Sequence, residues 1–291
     1  MGKVAVVTDS NAGITQEMAK DLGILVVPMP FMFGDSEDVY YEDVNLTREE
    51  FFQRLADGQT VHTSQPTPVD VLKVWDKALE TSDEVVYIPM SSGLSGSCQS
   101  ALMLSSEYDG KVQVVNNQRI SVTQRASCID ALKLAAKGWN AKQIREKLEE
   151  VKFHSSIYIM LDTLTYLKRG GRITPAAAAI GSILRIKPVL QIKGERLDAF
   201  SKARTVQQGK TTMINAMRSD CDTMYGGAAN TFMYAVHAQC PDTFAPWFEQ
   251  VKAAFPECEV RPDRLSLSIS CHIGPGALAI ACSEKIPEAE E

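Results

Sequence analysis

Residues 3–8 form a short β-branched run, the pattern of a buried strand. A helical stretch at 14–22 and a second apolar run at 24–33 follow. Thr47-Arg48-Glu49-Glu50 is a capping box ahead of Phe51, Phe52 and Leu55, which predicts a helix start. Thr67-Pro68 puts an N-cap before a proline at the first helical position, and Val71, Val74, Trp75 and Ala78 then share one helical face. Further strands are predicted at 83–89 and 111–116, and helices at 99–108, 122–137 and 141–152. The last of these is amphipathic through Ile144, Leu148 and Val151. Strands alternating with helices imply right-handed crossovers and a parallel sheet, so the first half reads as an open α/β domain.

The second half changes character. Runs at 189–193 and 197–201 flank Gly194-Glu195, a hairpin signal. A strand is predicted at 231–239 and a helix at 243–255. Leu265, Leu267, Ile269 and Cys271 alternate with Ser266, Ser268 and Ser270, and that period of two predicts a strand with one buried face. Residues 277–283 are expected to pair beside it after the Gly274-Pro275-Gly276 turn. This half reads as α+β with an antiparallel sheet. The predicted domains are 1–155 and 156–291, with the segment near 61–78 a candidate to pack with the second. The acidic residues 284–291 read as a solvated tail.

Composition narrows the class. The chain has 291 residues, 45% apolar and 23% charged, enough for two globular domains with ordinary cores. Thirty Lys and Arg against 36 Asp and Glu give a net charge of −6, a poor match to a protein that tracks nucleic-acid backbone. Aromatic residues are only 7%, which predicts an aliphatic interior. The seven Cys contain no CxxC pair, so neither a disulfide framework nor a zinc knuckle fits. The start of the chain lacks a signal-peptide pattern. The longest apolar stretch, 176–184, is broken by Gly181 and Ser182 and is too short to be a transmembrane segment. A reduced, soluble, cytoplasmic protein is expected.

Four polar clusters sit where strands end or turns begin, the usual place for a site in an open α/β sheet. Ser91-Ser92-Gly93-Leu94-Ser95-Gly96-Ser97 joins hydroxyls, glycines and a helix N-terminus, the parts of an anion cradle. It fits no nucleophile elbow, because the second glycine follows Ser95 directly, and no P-loop or dinucleotide fingerprint. Read as structure alone, it is a Ser-capped loop. Thr63-Ser64-Gln65-Pro66 reads most simply as a turn before a helix. Arg169-Gly170-Gly171-Arg172-Ile173 can aim a guanidinium at a carboxylate or phosphate, or be a basic surface turn. His272-Ile273-Gly274-Pro275-Gly276 offers a donor or a proton carrier at a turn, or one histidine satisfied by backbone. His62, His154 and His237 show no metal spacing with it. Asp9 and Ser10 read as a cap and loop-packing pair. Together these favour a binder of an acidic ligand over a hydrolase. A serine hydrolase using Ser95 and His272 with Asp9, and a binder of a small phosphorylated metabolite, stay open as alternatives.

In order and spacing, Thr8-Asp9-Ser10, Thr63-Ser64-Gln65-Pro66, 91–96, 169–173 and 272–277 resemble the DegV family over nearly the whole chain. The resemblance implies an N-terminal α/β and a C-terminal α+β domain with a long-chain fatty acid, such as palmitate, stearate or oleate, buried between them. It implies no other cofactor and no catalysis by the chain alone. The family role is the fatty-acid-binding subunit of bacterial fatty acid kinase, which presents the acid to a separate ATP-using kinase subunit for acyl-phosphate formation. That role is compatible with transient membrane contact. Carried over, Thr63 and Ser95 would hydrogen-bond the carboxylate, with Ser92 and Gly93 beside them. His272 would complete the network, and Arg172 would steady charge during phosphoryl transfer. A basic stretch at 202–210 is implied in docking the kinase; here Lys202 and Arg204 carry it, while Gln207 and Gln208 make it less basic. An acyl chain of about fourteen methylenes would gain on the order of 10 kcal/mol gross on leaving water.

Overall fold

β1 (Val4–Asp9) leads through a short 3₁₀ turn, Ser10–Ala12, into α1 (Gln16–Leu22) and β2 (Leu25–Val27) in the computed structural model, which describes residues 2–175, 179 and 186–290. Then come β3 (Pro30–Phe33), β4 (Tyr40–Tyr41), α2 (Arg48–Ala56), β5 (Val61–Thr63), α3 (Pro68–Leu79), β6 (Glu84–Ile88), α4 (Ser97–Ser105), β7 (Val112–Val114), α5 (Ser121–Ala136) and α6 (Ala141–Glu150). The single apolar run read at 24–33 is two strands in two sheets. β2 joins a four-stranded parallel sheet of order β2-β1-β6-β7, and β3 centres a small antiparallel sheet of order β4-β3-β5.

The parallel sheet is apolar on both faces because helices cover both. Val6, Val86 and Ile88 pack with Ile144, Leu148 and Leu134, while their neighbours Val7, Val85 and Tyr87 pack with Trp75, Ala78 and Ala101. The predicted caps form: Thr47 Oγ1 accepts from Glu50 N and Thr67 Oγ1 from Asp70 N, each at 3.2 Å. In the first unit Phe31, Phe51 and Phe52 meet edge-to-face at 5.8 and 5.1 Å.

The chain divides into two compact units. The first gathers Met1–Lys152, Ser266–Cys271 and Ile286–Glu291; the second is Phe153–Leu265 with His272–Lys285. The second unit opens with β8 (Ser155–Met160) and α7 (Thr165–Gly170), continues through β9 (Lys187–Ile192), β10 (Leu197–Ala203), α8 (Val206–Met224), β11 (Thr231–His237), α9 (Pro241–Ala254) and β12 (Val260–Arg264), and closes with β13 (Leu278–Glu284). Its six strands run β10-β9-β8-β13-β11-β12, antiparallel except for the parallel pair β11–β12, so the sheet is mixed rather than wholly antiparallel. The predicted hairpin is β9–β10. The apolar stretch 176–184 lies outside the described residues except for Ala179.

Two expectations are corrected. The Ser/apolar alternation at 265–271 is not a strand but α10 (Leu267–Ile273), whose Ser270 N–H donates to Ser266 O at 2.9 Å. Ser266, Ser268 and Ser270 are all buried, so the polar positions do not mark a solvent face, and the alternation carries no strand information. Residues 277–283 accordingly pair with β8 and β11 instead. Nor is the acidic C-terminal segment solvated. It forms α11 (Pro287–Glu290), and Ile286 and Ala289 are buried in the core with Leu134 and Ile144. Lys147 pairs with Glu288 at 2.8 Å, Lys133 pairs with Glu290, and Lys137 Nζ donates to Glu288 O at 2.8 Å.

Candidate functional site

Within the first unit the 91–97 loop starts where β6 ends, beside the carboxyl end of β1. Asp9 anchors it. Its carboxylate accepts from Met90 N (2.8 Å), Asn11 N (3.0 Å), Asn11 Nδ2 (2.9 Å) and Gln124 Nε2 (3.2 Å). Burial pushes the Asp9 carboxyl upward, and these donors pull against it. Asp9 therefore does the capping read from the sequence. Its oxygens are committed to these donors, which removes the motive for a triad role.

The loop turns on its own serines. Ser91 O accepts from Leu94 N at 3.0 Å and Ser95 N at 3.3 Å, and Ser91 Oγ accepts from Gly93 N at 3.3 Å. Ser95 Oγ accepts from Ser97 N at 3.2 Å, while Gly96, the N-cap of α4, has no side chain to cap with. A hydroxyl that accepts at its oxygen still has its O–H to donate. Capping and anion binding by Ser95 are thus compatible. Ser92 and Gly93 are half-buried, and the buried Ser97 Oγ has no hydrogen-bond partner among the described residues.

Thr63 ends β5, in register with Phe31. Gln65, two residues on, donates from Nε2 to Ser100 Oγ at 3.1 Å, and its Oε1 lies where a Cβ on Gly96 would come within 2.9 Å. Nothing in the residue pattern singles out Gln65, yet it joins the Thr63 motif to the serine loop.

In the second unit, Arg169 and Gly170 end α7, and Gly171 closes it at φ +67°, a left-handed cap that glycine takes without strain. The Arg172 guanidinium donates to Gly170 O. His272 lies against Gly170, where a Cβ would stand 2.9 Å from its Cε1. Burial, and then the Arg172 charge, hold the imidazole down to about 4, so it is neutral at pH 7. It can exchange hydrogen bonds with a carboxylate, but Arg172 supplies the positive charge.

Lys202 and Arg204 are exposed at the end of β10 and just beyond it. The rest of the 202–210 stretch is the start of α8, which the sequence reading missed. Gln208 N donates to Thr205 Oγ1 at 3.1 Å and its Oε1 accepts from Arg204 N at 2.8 Å, a helix-capping pair. Lys210 is buried over the Trp247 ring at 5.9 Å and is not part of an exposed basic face. His237 stacks on Phe244 at 4.4 Å and His154 pairs with Glu284. Among the described residues no three His, Cys, Asp or Glu gather as a metal site, and the seven Cys are free thiols. No helix among the described residues is long and apolar enough to cross a membrane. A separate cleft of about 540 Å³ in the first unit is lined by Phe33, Tyr40, Arg54 and Asp38 and contains none of the predicted site residues.

Comparison with known proteins finds one family model, "Uncharacterised protein, DegV family", matching residues 3–285. A DegV domain-containing protein of Listeria innocua is 29% identical over 286 residues, covering 97% of this chain and 99% of the relative. A solved DegV family protein from Thermus thermophilus, described by its fatty acid binding, has a TM-score of 0.87 at 30% identity, covering 97% of this chain and 99% of its own. The solved Bacillus subtilis DegV, a fatty acid binding protein, has a TM-score of 0.85 at 28% identity over 98% of this chain and 100% of its own.

Proposed function

Because the chain belongs to the DegV family, we propose that it binds a long-chain fatty acid and presents it to a separate ATP-dependent kinase subunit. The observation that carries the reading is end-to-end similarity of fold and sequence to two solved fatty-acid-binding proteins. In this reading Thr63 and Ser95 donate hydrogen bonds to the carboxylate, with Ser92 and Gly93 in the same loop. Neutral His272 extends the network. Arg172 is the positive charge near the head group and steadies phosphoryl transfer by the partner. The chain performs no chemistry alone, and exposed Lys202 and Arg204 are the docking contacts. A carboxylate shielded from water needs such partners, because an unpaired buried charge is far costlier than a paired one. Against a serine hydrolase stand the absent elbow spacing and an Asp9 whose oxygens are committed to Asn11, Met90 and Gln124. Denaturing extraction of protein purified without added lipid, followed by mass spectrometry, should release a long-chain fatty acid. Protein that carries none and takes up neither palmitate nor oleate would overturn the reading.

A further inference from the structure

The glycines of the two second-unit motifs make room for side chains from the facing segment. A Cβ on Gly170 would stand 2.9 Å from His272 Cε1 and closer still to Nδ1. One on Gly274 would stand 2.5 Å from Tyr166 Cε2, and one on Gly276 2.9 Å from Asp162 Cγ. Real Cβ atoms essentially never come within 3.0 Å of such neighbours. Asp162, Tyr166 and Gly170 lie on or just before α7, so this segment and the 272–276 loop fit together through three missing side chains. Gly274 and Gly276 sit at φ +78° and +88°, where the backbone alone favours glycine. Gly170 is different. It is the last residue of α7 and has no left-handed φ, so its backbone conformation is open to any residue. Its backbone does not require glycine, but its contact with the imidazole does. Its carbonyl also accepts from the Arg172 guanidinium.

We propose that Gly170 is a positioning residue: its bare Cα seats the His272 ring while its carbonyl holds Arg172, which fixes the spacing of these two side chains. The proposal rests on the head-group roles assigned above. The suppressed protonation of His272 accords with it, since burial and the nearness of Arg172 both follow from that seat.

The test follows His272 by NMR titration in the full-length, lipid-free protein. The wild-type ring should titrate near 4. In Gly170→Ala the added methyl displaces the ring, and the titration should move upward by about one unit or more toward the ordinary histidine value. An unmoved titration in a folded variant overturns the proposal. Melting temperature supplies the second readout. Gly170→Ala should lower it in the wild-type background but much less in a His272→Ala background, where the methyl meets no ring. An equal loss in both backgrounds overturns the proposal; if Gly170→Ala alone does not fold, a Gly170→Ala/His272→Ala protein that also fails to fold while His272→Ala folds overturns it as well. Palmitate retention, measured alongside, should fall about tenfold in Gly170→Ala. A wild type that never retains palmitate sinks the functional reading but leaves the seating result standing.

Discussion

The carboxylate of Asp9 accepts the backbone N–H of Met90 at 2.8 Å, across 81 residues of sequence. This bond ties the end of one parallel strand to the loop that follows another, and it sets where the serine loop begins. Both residues are buried, so water does not replace the bond when it is lost. Asp9→Ala should therefore cost about 3 kcal/mol, because it leaves the Met90 and Asn11 N–H groups buried without their acceptor. Urea titration checks this. A loss below about 0.5 kcal/mol would show that Asp9 does not anchor the loop.

Asp130 predicts a pH dependence. It is fully buried on α5, neither carboxyl oxygen has a hydrogen-bond partner among the described residues, and burial pushes it up to about 7. Arg119 and Lys133 oppose that shift and Glu290 adds to it. The folded value lies above the unfolded one, so the folded state holds a proton the unfolded chain has released. Stability from this group is full below about 4 and lost as pH rises toward 7. Asp130→Asn should be more stable than wild type by about 2 kcal/mol at pH 8, with the gain fading toward pH 4. Melting temperatures across that range decide, and a gain that is flat with pH would refute the assignment.

The C-terminal segment gives a contrast between core and charge. Ile286→Ala should cost about 2–4 kcal/mol, as expected for a truncated core side chain. Glu288→Gln and Glu290→Gln, whose carboxylates are partly exposed, should each cost less than about 1 kcal/mol. Denaturation midpoints of the three variants provide the comparison.

Ser95→Ala should act twice. Loss of the acceptor for Ser97 N should lower the stability of lipid-free protein by about 1 kcal/mol. Loss of its donor should weaken fatty-acid retention by a further amount of about 1–3 kcal/mol. Unchanged retention beside reduced stability would mean that Ser95 only caps α4.

Arg172→Ala should reduce acyl-phosphate formation with the cognate kinase while leaving fatty-acid binding largely intact. It should also raise the His272 titration point, since the Arg172 charge helps to hold it down. Equal loss of binding and phosphorylation would show that the head-group assignment is wrong.

How much was legible depended on whether burial had a direction. α3 was readable because a cap, a proline and one apolar face coincide. β8 was not, because all six residues are buried and it opens with Ser155 and Ser156, the latter satisfied by Asp220 at 2.7 Å. α8 was hidden by its Gln, Thr, Ser and Lys content, although Met213, Met217 and Cys221 lie in the core. Of the proposed site, the Ser95 loop, Arg172 and His272 stand out as polar residues at turns, whereas Thr63 is singled out only by the family resemblance. The fit of His272 onto Gly170 does not stand out, because a contact made by a missing side chain leaves no chemical mark in the sequence.

The route of the chain through the two units has a consequence for how the protein is made. The first unit needs Leu267 and Cys271 beside Phe31 and Phe51, and Ile286 beside Leu134. Its amino-terminal 152 residues are made before the second unit, yet these three side chains follow only after residues 153–265 of that unit. The unit translated first is thus the last to be finished. No single cut yields it whole, and a fragment stopping at 152 would expose the apolar surface those residues cover.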